Sequence, residues 1–93
     1  MKEQDIQRKF IKYLESQGAY VVKVISASKS GVPDILFCYE GVFAAIEVKT
    51  QDTRNNVSKL QAYNIEKIHN CGGQAIVAWE LQQVEEFLRG LLL

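Results

Sequence analysis

The chain has 93 residues, of which 47% are hydrophobic and 24% charged, with 11 acidic and 11 basic side chains and a net charge of zero. This length predicts a single domain over residues 1–93 with one modest core, which excludes a two-domain protein, and the composition excludes a disordered chain. No apolar run is long enough to cross a bilayer and the N-terminus is polar, so we expect a cytoplasmic, intracellular protein without membrane contact.

The first half of the chain predicts one helix and three strands. Apolar residues at helical spacing predict a helix over residues 2–17, ended by Gly18. The β-branched run 20–25 predicts a strand, and Pro33 fixes an extended start for the next strand, 34–39. Because Glu40-Gly41 is a tight-turn pair, residues 42–49 should return as the hairpin partner of that strand.

The second half predicts a polar loop over residues 51–56, a helix over 58–70 ended by Cys71-Gly72-Gly73, a strand over 74–79 and a closing helix. The order α-β-β-β-α-β-α indicates an α/β domain with a mixed four-stranded sheet flanked by helices. Cys38 and Cys71 lie in segments whose pattern is typical of a core. They form neither a disulfide framework nor a zinc motif, so we expect reduced thiols.

Three charged residues stand out on the predicted hairpin. Glu47 and Lys49 end an otherwise apolar strand and, being two residues apart, project from the same face. Asp34 begins the preceding strand, and counting back from the turn places it level with Glu47. Two carboxylates and a lysine should therefore converge at one edge of the sheet, where charged groups are costly unless something uses them.

This constellation suits metal-assisted phosphodiester hydrolysis. Two convergent carboxylates can hold Mg²⁺ or Mn²⁺, and a neighbouring lysine can orient the attacking water or stabilise developing charge. The alternative is a solvated surface ion pair between Lys49 and either carboxylate, which has no chemical role.

Polar residues on the apolar stripes of both long helices favour a site. Glu3 and Gln7 continue the stripe of Phe10 and Leu14, although Glu3 could equally be solvated at the helix N-terminus. Gln61 shares the inward face of the second helix. Its alternative role is in a capping box with Ser58, and the two roles are compatible.

The motifs Glu3…Gln7, Gly31-Val32-Pro33-Asp34, Glu47-Val48-Lys49 and Ser58…Gln61 together resemble the VRR-NUC domain, a branch of the PD-(D/E)XK nuclease superfamily. The resemblance spans nearly the whole chain and implies a restriction-endonuclease-like core. It implies that Asp34 and Glu47 ligate the metal with help from the Val48 carbonyl. It also implies that Lys49 serves the attacking water and that Gln61 supports Lys49 or the phosphate. Either Glu3 or Gln7 would complete the acidic cluster.

The resulting hypothesis is a metal-dependent, structure-specific DNA endonuclease acting on branched DNA such as four-way junctions. Four residues are candidates for contacting the DNA: Lys29, Arg54, Ser58 and Lys59. We expect a homodimer, which would supply two active sites. The apolar run Leu91-Leu92-Leu93 indicates either self-association or a C-terminus tucked against the core. The alternative function is a nucleic-acid-binding or assembly module that keeps this fold without turnover.

Overall fold

All 93 residues are described by a computed structural model of the chain. Three helices and four strands follow one another in the predicted order: α1 (Glu3–Ser16), β1 (Tyr20–Lys23), β2 (Ile35–Tyr39), β3 (Val42–Val48), α2 (Lys59–Asn70), β4 (Gln74–Ala78) and α3 (Leu81–Gly90). The predicted mixed four-stranded sheet with flanking helices is confirmed.

The sheet has the strand order β1-β2-β3-β4. Strands β1, β2 and β3 form an antiparallel meander, whereas β4 lies parallel to β3. A parallel neighbour requires a crossover connection, and α2 provides it. The carboxyl end of β3 therefore lies beside the start of α2, which brings the two segments that carry polar motifs together.

The β2–β3 hairpin sets the register of the future site. Glu40 and Gly41 both have positive φ angles, of 50° and 81°, as a two-residue turn with the twist of the strands requires. Tyr39 consequently pairs with Val42 and Ile35 with Ile46. One step further along this register, Asp34 faces Glu47, as the sequence predicted.

The hydrophobic core lies on one face of the sheet, between the sheet and helices α1 and α3. Its fully buried members come from both layers: Phe10, Leu14, Ile35, Ile46, Val48 and Val84. On the opposite face α2 packs against β3 and β4 but leaves much of β1 and β2 uncovered. Glu47 and Lys49 project from this second face because they alternate with the core residues Ile46 and Val48.

The loop between β1 and β2 is fixed to the start of α2. Gly31 has a φ of +81°, and a Cβ atom there would lie only 2.7 Å from the backbone carbon of Leu60. The side-chain amide of Asn64 also donates to the carbonyl of Ser30 at 3.0 Å. Because Asp34 follows directly in this loop, its position depends on α2.

Two expectations differ from the structure. β1 ends at Lys23 rather than at residue 25, since Ile25 turns into solvent and is 89% exposed. The prediction that Cys38 and Cys71 are core residues is wrong, as both thiols are exposed. Cys38 lies on the sheet face that α2 leaves uncovered, and Cys71 follows the last turn of α2.

No helix is long and apolar enough to span a membrane.

Candidate active site

Asp34 and Glu47 meet where the β2–β3 hairpin opens. Their carboxyl groups are close enough to share a hydrogen bond when Glu47 is protonated. Oδ2 of Asp34 accepts a hydrogen bond from the backbone N–H of Val48 at 2.8 Å, which fixes the orientation of this carboxylate. The predicted convergence of the two acidic side chains is therefore present. The other carboxylate oxygen of Asp34, Oδ1, takes no part in the hydrogen bond with Val48.

Lys49 lies beside Glu47 in an enclosed position. The two residues are only 8% and 3% exposed, and Nζ of Lys49 is 3.7 Å from Oε2 of Glu47. Nζ also donates to Oε1 of Gln61 at 3.2 Å. A solvated surface pair is thereby excluded, because both charged groups have lost most of their contact with bulk water.

Gln61 joins α2 to this cluster. Its Nε2 donates to Oε2 of Glu47 at 3.1 Å, while its Oε1 accepts from both Lys49 and the backbone N–H of Ser58. The hydroxyl of Ser58 in turn accepts from the Gln61 backbone N–H at 3.1 Å, which completes a capping box. Gln61 is thus both a helix-capping residue and a contact of the two charged side chains.

Helix α1 contributes Glu3 and Gln7 from its first two turns. Glu3 is near enough to Asp34 and Lys49 for both charges to influence its pKa. Gln7 is 92% buried, and its side-chain amide lies close enough to the Glu3 carboxylate, one turn earlier, to lower the pKa of that group. Both candidates for completing the acidic cluster therefore lie beside it, with Glu3 near enough to interact with the charges of Asp34 and Lys49.

Burial and mutual repulsion shift the acidity of two carboxyl groups. The pKa of Glu47 is raised to about 8, first by loss of hydration and then by the charge of Asp34 and their shared hydrogen bond. Lys49 opposes this rise. The pKa of Glu3 is also raised, by burial and by Asp34, against the opposing effects of Lys49 and the Gln7 hydrogen bond. Crowded carboxyl groups with raised pKa values are typical of functional sites.

Three observations bear on whether a divalent cation fits. Three carboxyl groups surround a single lysine, so full ionisation leaves two negative charges in excess. Gln7 has a buried Oε1 with no hydrogen-bond partner, the only such buried side-chain atom in the molecule. No group of three or more His, Cys, Asp or Glu side chains is arranged to hold an ion by itself. A cation with two carboxylate ligands, a backbone carbonyl and waters suits this arrangement.

The four predicted DNA-contacting residues lie around the start of α2 and in the two loops beside it. Lys29, Ser58 and Lys59 are exposed, and Lys29 belongs to the loop that Gly31 anchors. Arg54 is half-buried and donates to the carbonyl of Gln51. Its loop is tied by a reciprocal pair of bonds between Thr50 and Thr53.

Sequence reasoning missed one structural role. Nε2 of His69 accepts a hydrogen bond from the backbone N–H of Ala75 at 3.1 Å. The ring thereby covers part of the free edge of β4. The spacing of six residues across the Gly72-Gly73 turn was the available signal, although it does not specify this bond.

A mixed four-stranded sheet with helices on both faces, carrying an Asp, a Glu and a Lys at one end of a hairpin, defines the restriction-endonuclease-like nucleases. The chain belongs to the archaeal Holliday junction resolvase (Hjc) family, whose sequence model matches residues 1–91. No curated protein matches the chain significantly.

Two solved structures are similar to this one. One, described as a VRR_NUC domain, superposes with a TM-score of 0.78 at 25% sequence identity and covers 96% of each chain. The other, the Hjc Holliday junction resolvase of the archaeal hyperthermophile Archaeoglobus fulgidus, has a TM-score of 0.58 at 20% identity. That match covers 83% of this chain and 67% of the other and shows a shared fold. The VRR-NUC resemblance is confirmed.

Proposed function

We propose that this protein is a single-domain, divalent-metal-dependent endonuclease that cuts branched DNA, with four-way junctions as its main substrate. The observation that carries the proposal is the enclosed contact of Asp34, Glu47 and Lys49 at the end of β3. Membership of a resolvase family supports the choice of substrate.

Asp34, Glu47 and the carbonyl of Val48 would hold the ion. When bound there, Mg²⁺ or Mn²⁺ would polarise the scissile phosphate and lower the pKa of the attacking water. Both carboxylates already have fixed orientations, Asp34 through the Val48 N–H and Glu47 through Gln61. The chain therefore holds these oxygen ligands in place before substrate arrives, which reduces the reorganisation needed during the reaction.

Lys49 would orient the attacking water and stabilise charge that develops on the phosphate. Its ammonium group is held at 3.2 Å by Gln61 and at 3.7 Å by Glu47. Only the contact with Gln61 is a hydrogen bond, so N–H donors of Lys49 remain for the water or a phosphate oxygen. Glu3 adds negative charge beside Asp34. The expected products carry a 5′-phosphate and a 3′-hydroxyl.

The start of α2 and its neighbouring loops would hold the DNA backbone. Lys29 and Lys59 supply exposed positive charge, and Arg54 keeps further guanidinium donors beside its bond to Gln51. Ser58 lies at the N-terminus of α2, where the helix dipole favours a phosphate. Phosphate contacts of this kind position the duplex without reading its sequence.

A homodimer would give the two cuts that symmetric resolution of a junction needs, since each chain has one such site. One apolar surface available for pairing is the uncovered sheet face, which we define as Tyr20, Val22, Leu36, Cys38 and Phe43. Tyr20 is 74% exposed and Phe43 48%, and Cys38 lies between them in the strand register. This face is better placed for pairing than the terminal leucines, because Leu91 already packs against the core.

The substrate is tested by incubating the protein with labelled linear, flap and four-way junction DNA in Mg²⁺, in Mn²⁺ and in EDTA. We expect paired, metal-dependent cuts near the branch point of the junction and little cleavage of linear duplex. Binding of the junction without products under every metal condition would instead identify a non-catalytic binding module. Equal cleavage of all three substrates would contradict structure specificity.

Pairing through the uncovered sheet face is tested with Tyr20→Glu, with Leu92→Glu as a control at another exposed apolar position. Sedimentation should give a dimer mass for the wild type and for Leu92→Glu, and a monomer mass for Tyr20→Glu. A dimer that survives Tyr20→Glu but dissociates with Leu92→Glu would place the interface at the C-terminus instead.

A further inference from the structure

Gln7 presents the only buried side-chain polar atom in the molecule that lacks a hydrogen-bond partner. The residue is 92% buried, one turn before Phe10 on the core-facing stripe of α1. Its amide lies beside the carboxylate of Glu3, whose pKa it lowers, yet its Oε1 has no hydrogen-bond partner. Leaving a buried acceptor unpaired is costly, and native proteins keep few such atoms.

The orientation of the amide follows from its neighbour. An ionised carboxylate only accepts hydrogen bonds, so the NH₂ group of Gln7 must face Glu3, and the carbonyl oxygen is left over. Rotating the amide of Gln7 by 180° would place its carbonyl oxygen against the carboxylate of Glu3, and both groups are hydrogen-bond acceptors. With Glu3 ionised, the NH₂ group is the end of the amide that can approach the carboxylate, which leaves the carbonyl oxygen without a partner.

The missing donor should come from the side of the carboxylate cluster. The donors within the cluster are assigned elsewhere: the Val48 N–H binds Asp34, the Gln61 amide binds Glu47, and the free N–H groups of Lys49 are assigned to the attacking water or the phosphate. Waters on a bound divalent cation donate hydrogen bonds strongly, and partners that receive them orient the shell of the metal. A small rotation about the terminal torsion of glutamine, which has a broad energy minimum, would turn Oε1 toward such a water.

We propose that Gln7 is a positioning residue of the metal site: its Oε1 accepts a hydrogen bond from a water bound to the divalent cation while its NH₂ group holds Glu3. This inference rests on the metal dependence put forward under the proposed function. It assigns complementary roles to the two residues of α1, with Glu3 supplying charge and Gln7 supplying the acceptor.

The test is the affinity for Mn²⁺ in the absence of DNA, measured by calorimetry, together with the melting temperature in EDTA and in Mn²⁺. Gln7→Met removes both polar groups at similar volume. We expect it to bind Mn²⁺ at least tenfold more weakly than wild type, as loss of such a partner typically does. Its melting temperature in EDTA should be no lower than that of wild type, because the unpaired oxygen is gone.

Gln7→Glu is the second variant, since it restores an acceptor of nearly the same shape. We expect it to recover wild-type or tighter Mn²⁺ binding, at the cost of a lower melting temperature in EDTA because a further carboxylate has been added. Unchanged Mn²⁺ affinity in Gln7→Met, with a lower melting temperature in EDTA, would overturn the inference and leave Gln7 as a packing residue. Absence of Mn²⁺ binding by the wild type would overturn the metal-dependent function itself, and this inference with it.

Discussion

Oε1 of Gln61 accepts a hydrogen bond from Nζ of Lys49 at 3.2 Å, and the same oxygen accepts the backbone N–H of Ser58 at 3.0 Å. The atom that caps helix α2 therefore also holds the lysine of the candidate active site. Nε2 of Gln61 binds Glu47, so one side chain connects the start of a helix with both charged residues at the end of β3. Formation of the first turn of α2 and assembly of the site are coupled as a result.

Replacing Gln61 should weaken both helix capping and activity, whereas replacing the equivalent capping residue of a second helix should weaken capping alone. In α3, Oε1 of Gln83 accepts the backbone N–H groups of Trp79 and Glu80, a similar capping arrangement outside the cluster. Gln61→Ala and Gln83→Ala should each lower the free energy of unfolding by about 1 kcal/mol, as loss of a cap does. Only Gln61→Ala should reduce the rate of junction cleavage, by about 10²-fold or more in a single-turnover assay.

Similar losses of cleavage in Gln61→Ala and Gln83→Ala would attribute the effect to weakened helices. In that case the contacts of Gln61 with Lys49 and Glu47 would have no catalytic importance.

Lys49→Met should abolish cleavage while the fold and the affinity for the junction stay nearly intact. Methionine fills the space of the aliphatic stem but cannot orient water or stabilise negative charge. Lys49→Ala should behave in the same way, with a larger loss of packing. Gel-shift titrations in Ca²⁺ and circular dichroism provide the controls, and cleavage at the wild-type rate by either variant would refute the assignment of Lys49.

The raised pKa of Glu47 gives the metal-free protein a characteristic pH dependence. In the unfolded chain this carboxyl group loses its proton near its ordinary pKa of 4.5, whereas in the folded protein it keeps the proton up to about pH 8. Between these values the folded state binds more protons, so the free energy of unfolding should fall as the pH rises. Urea midpoints measured in EDTA from pH 5 to pH 9 should show this decline.

Glu47→Gln is the matched control, because the amide resembles the protonated carboxyl group at every pH. The variant should lose the contribution of Glu47 to the decline and be more stable than wild type above pH 8. Binding of Mn²⁺ to the wild type at pH 7 should release a proton, detected as a dependence of the calorimetric heat on buffer ionisation. Parallel pH profiles for the two proteins would show that Glu47 is already ionised in the metal-free fold.

Gly31→Ala should displace Asp34 by straining the backbone of the loop between β1 and β2. At a positive φ an alanine costs about 1–2 kcal/mol, and here its Cβ would also meet the Leu60 backbone at 2.7 Å. Gly18→Ala is the control, because Gly18 has a φ of +90° with no atom within 4 Å of the added Cβ. We expect Gly31→Ala to be the less stable of the two in urea, and to be the only one with weaker Mn²⁺ binding. Equal effects would show that contact between the loop and α2 does not position Asp34.

Much of the site could be predicted because a hairpin with a two-residue turn leaves little freedom of register. Glu40-Gly41 determines that Asp34 lies opposite Glu47, and alternation along β3 places Lys49 on the same face as Glu47. The two roles of Gln61 could also be predicted from the sequence. Gln61 lies on the inward face of α2, and it follows Ser58 by three residues, as a capping box requires.

The exposure of Cys38 could not be predicted from its strand. An apolar residue on a strand is buried only if another element covers that face, and whether α2 covers β2 depends on the crossover geometry. The unpaired oxygen of Gln7 was equally inaccessible. The sequence places a polar residue on an apolar stripe, but only the three-dimensional structure shows that its Oε1 is buried without a hydrogen-bond partner.

The most direct test compares wild type with Asp34→Asn on a labelled four-way junction in Mn²⁺, with both proteins at concentrations that saturate binding in Ca²⁺. Asparagine keeps an oxygen that can accept the Val48 N–H but removes the negative charge beside Glu47. We expect paired cuts by the wild type that vanish in EDTA, and no cuts by Asp34→Asn despite full occupancy of the junction. Cleavage by Asp34→Asn at the wild-type rate, or cleavage by the wild type that persists in EDTA, would contradict a metal ion held between Asp34 and Glu47.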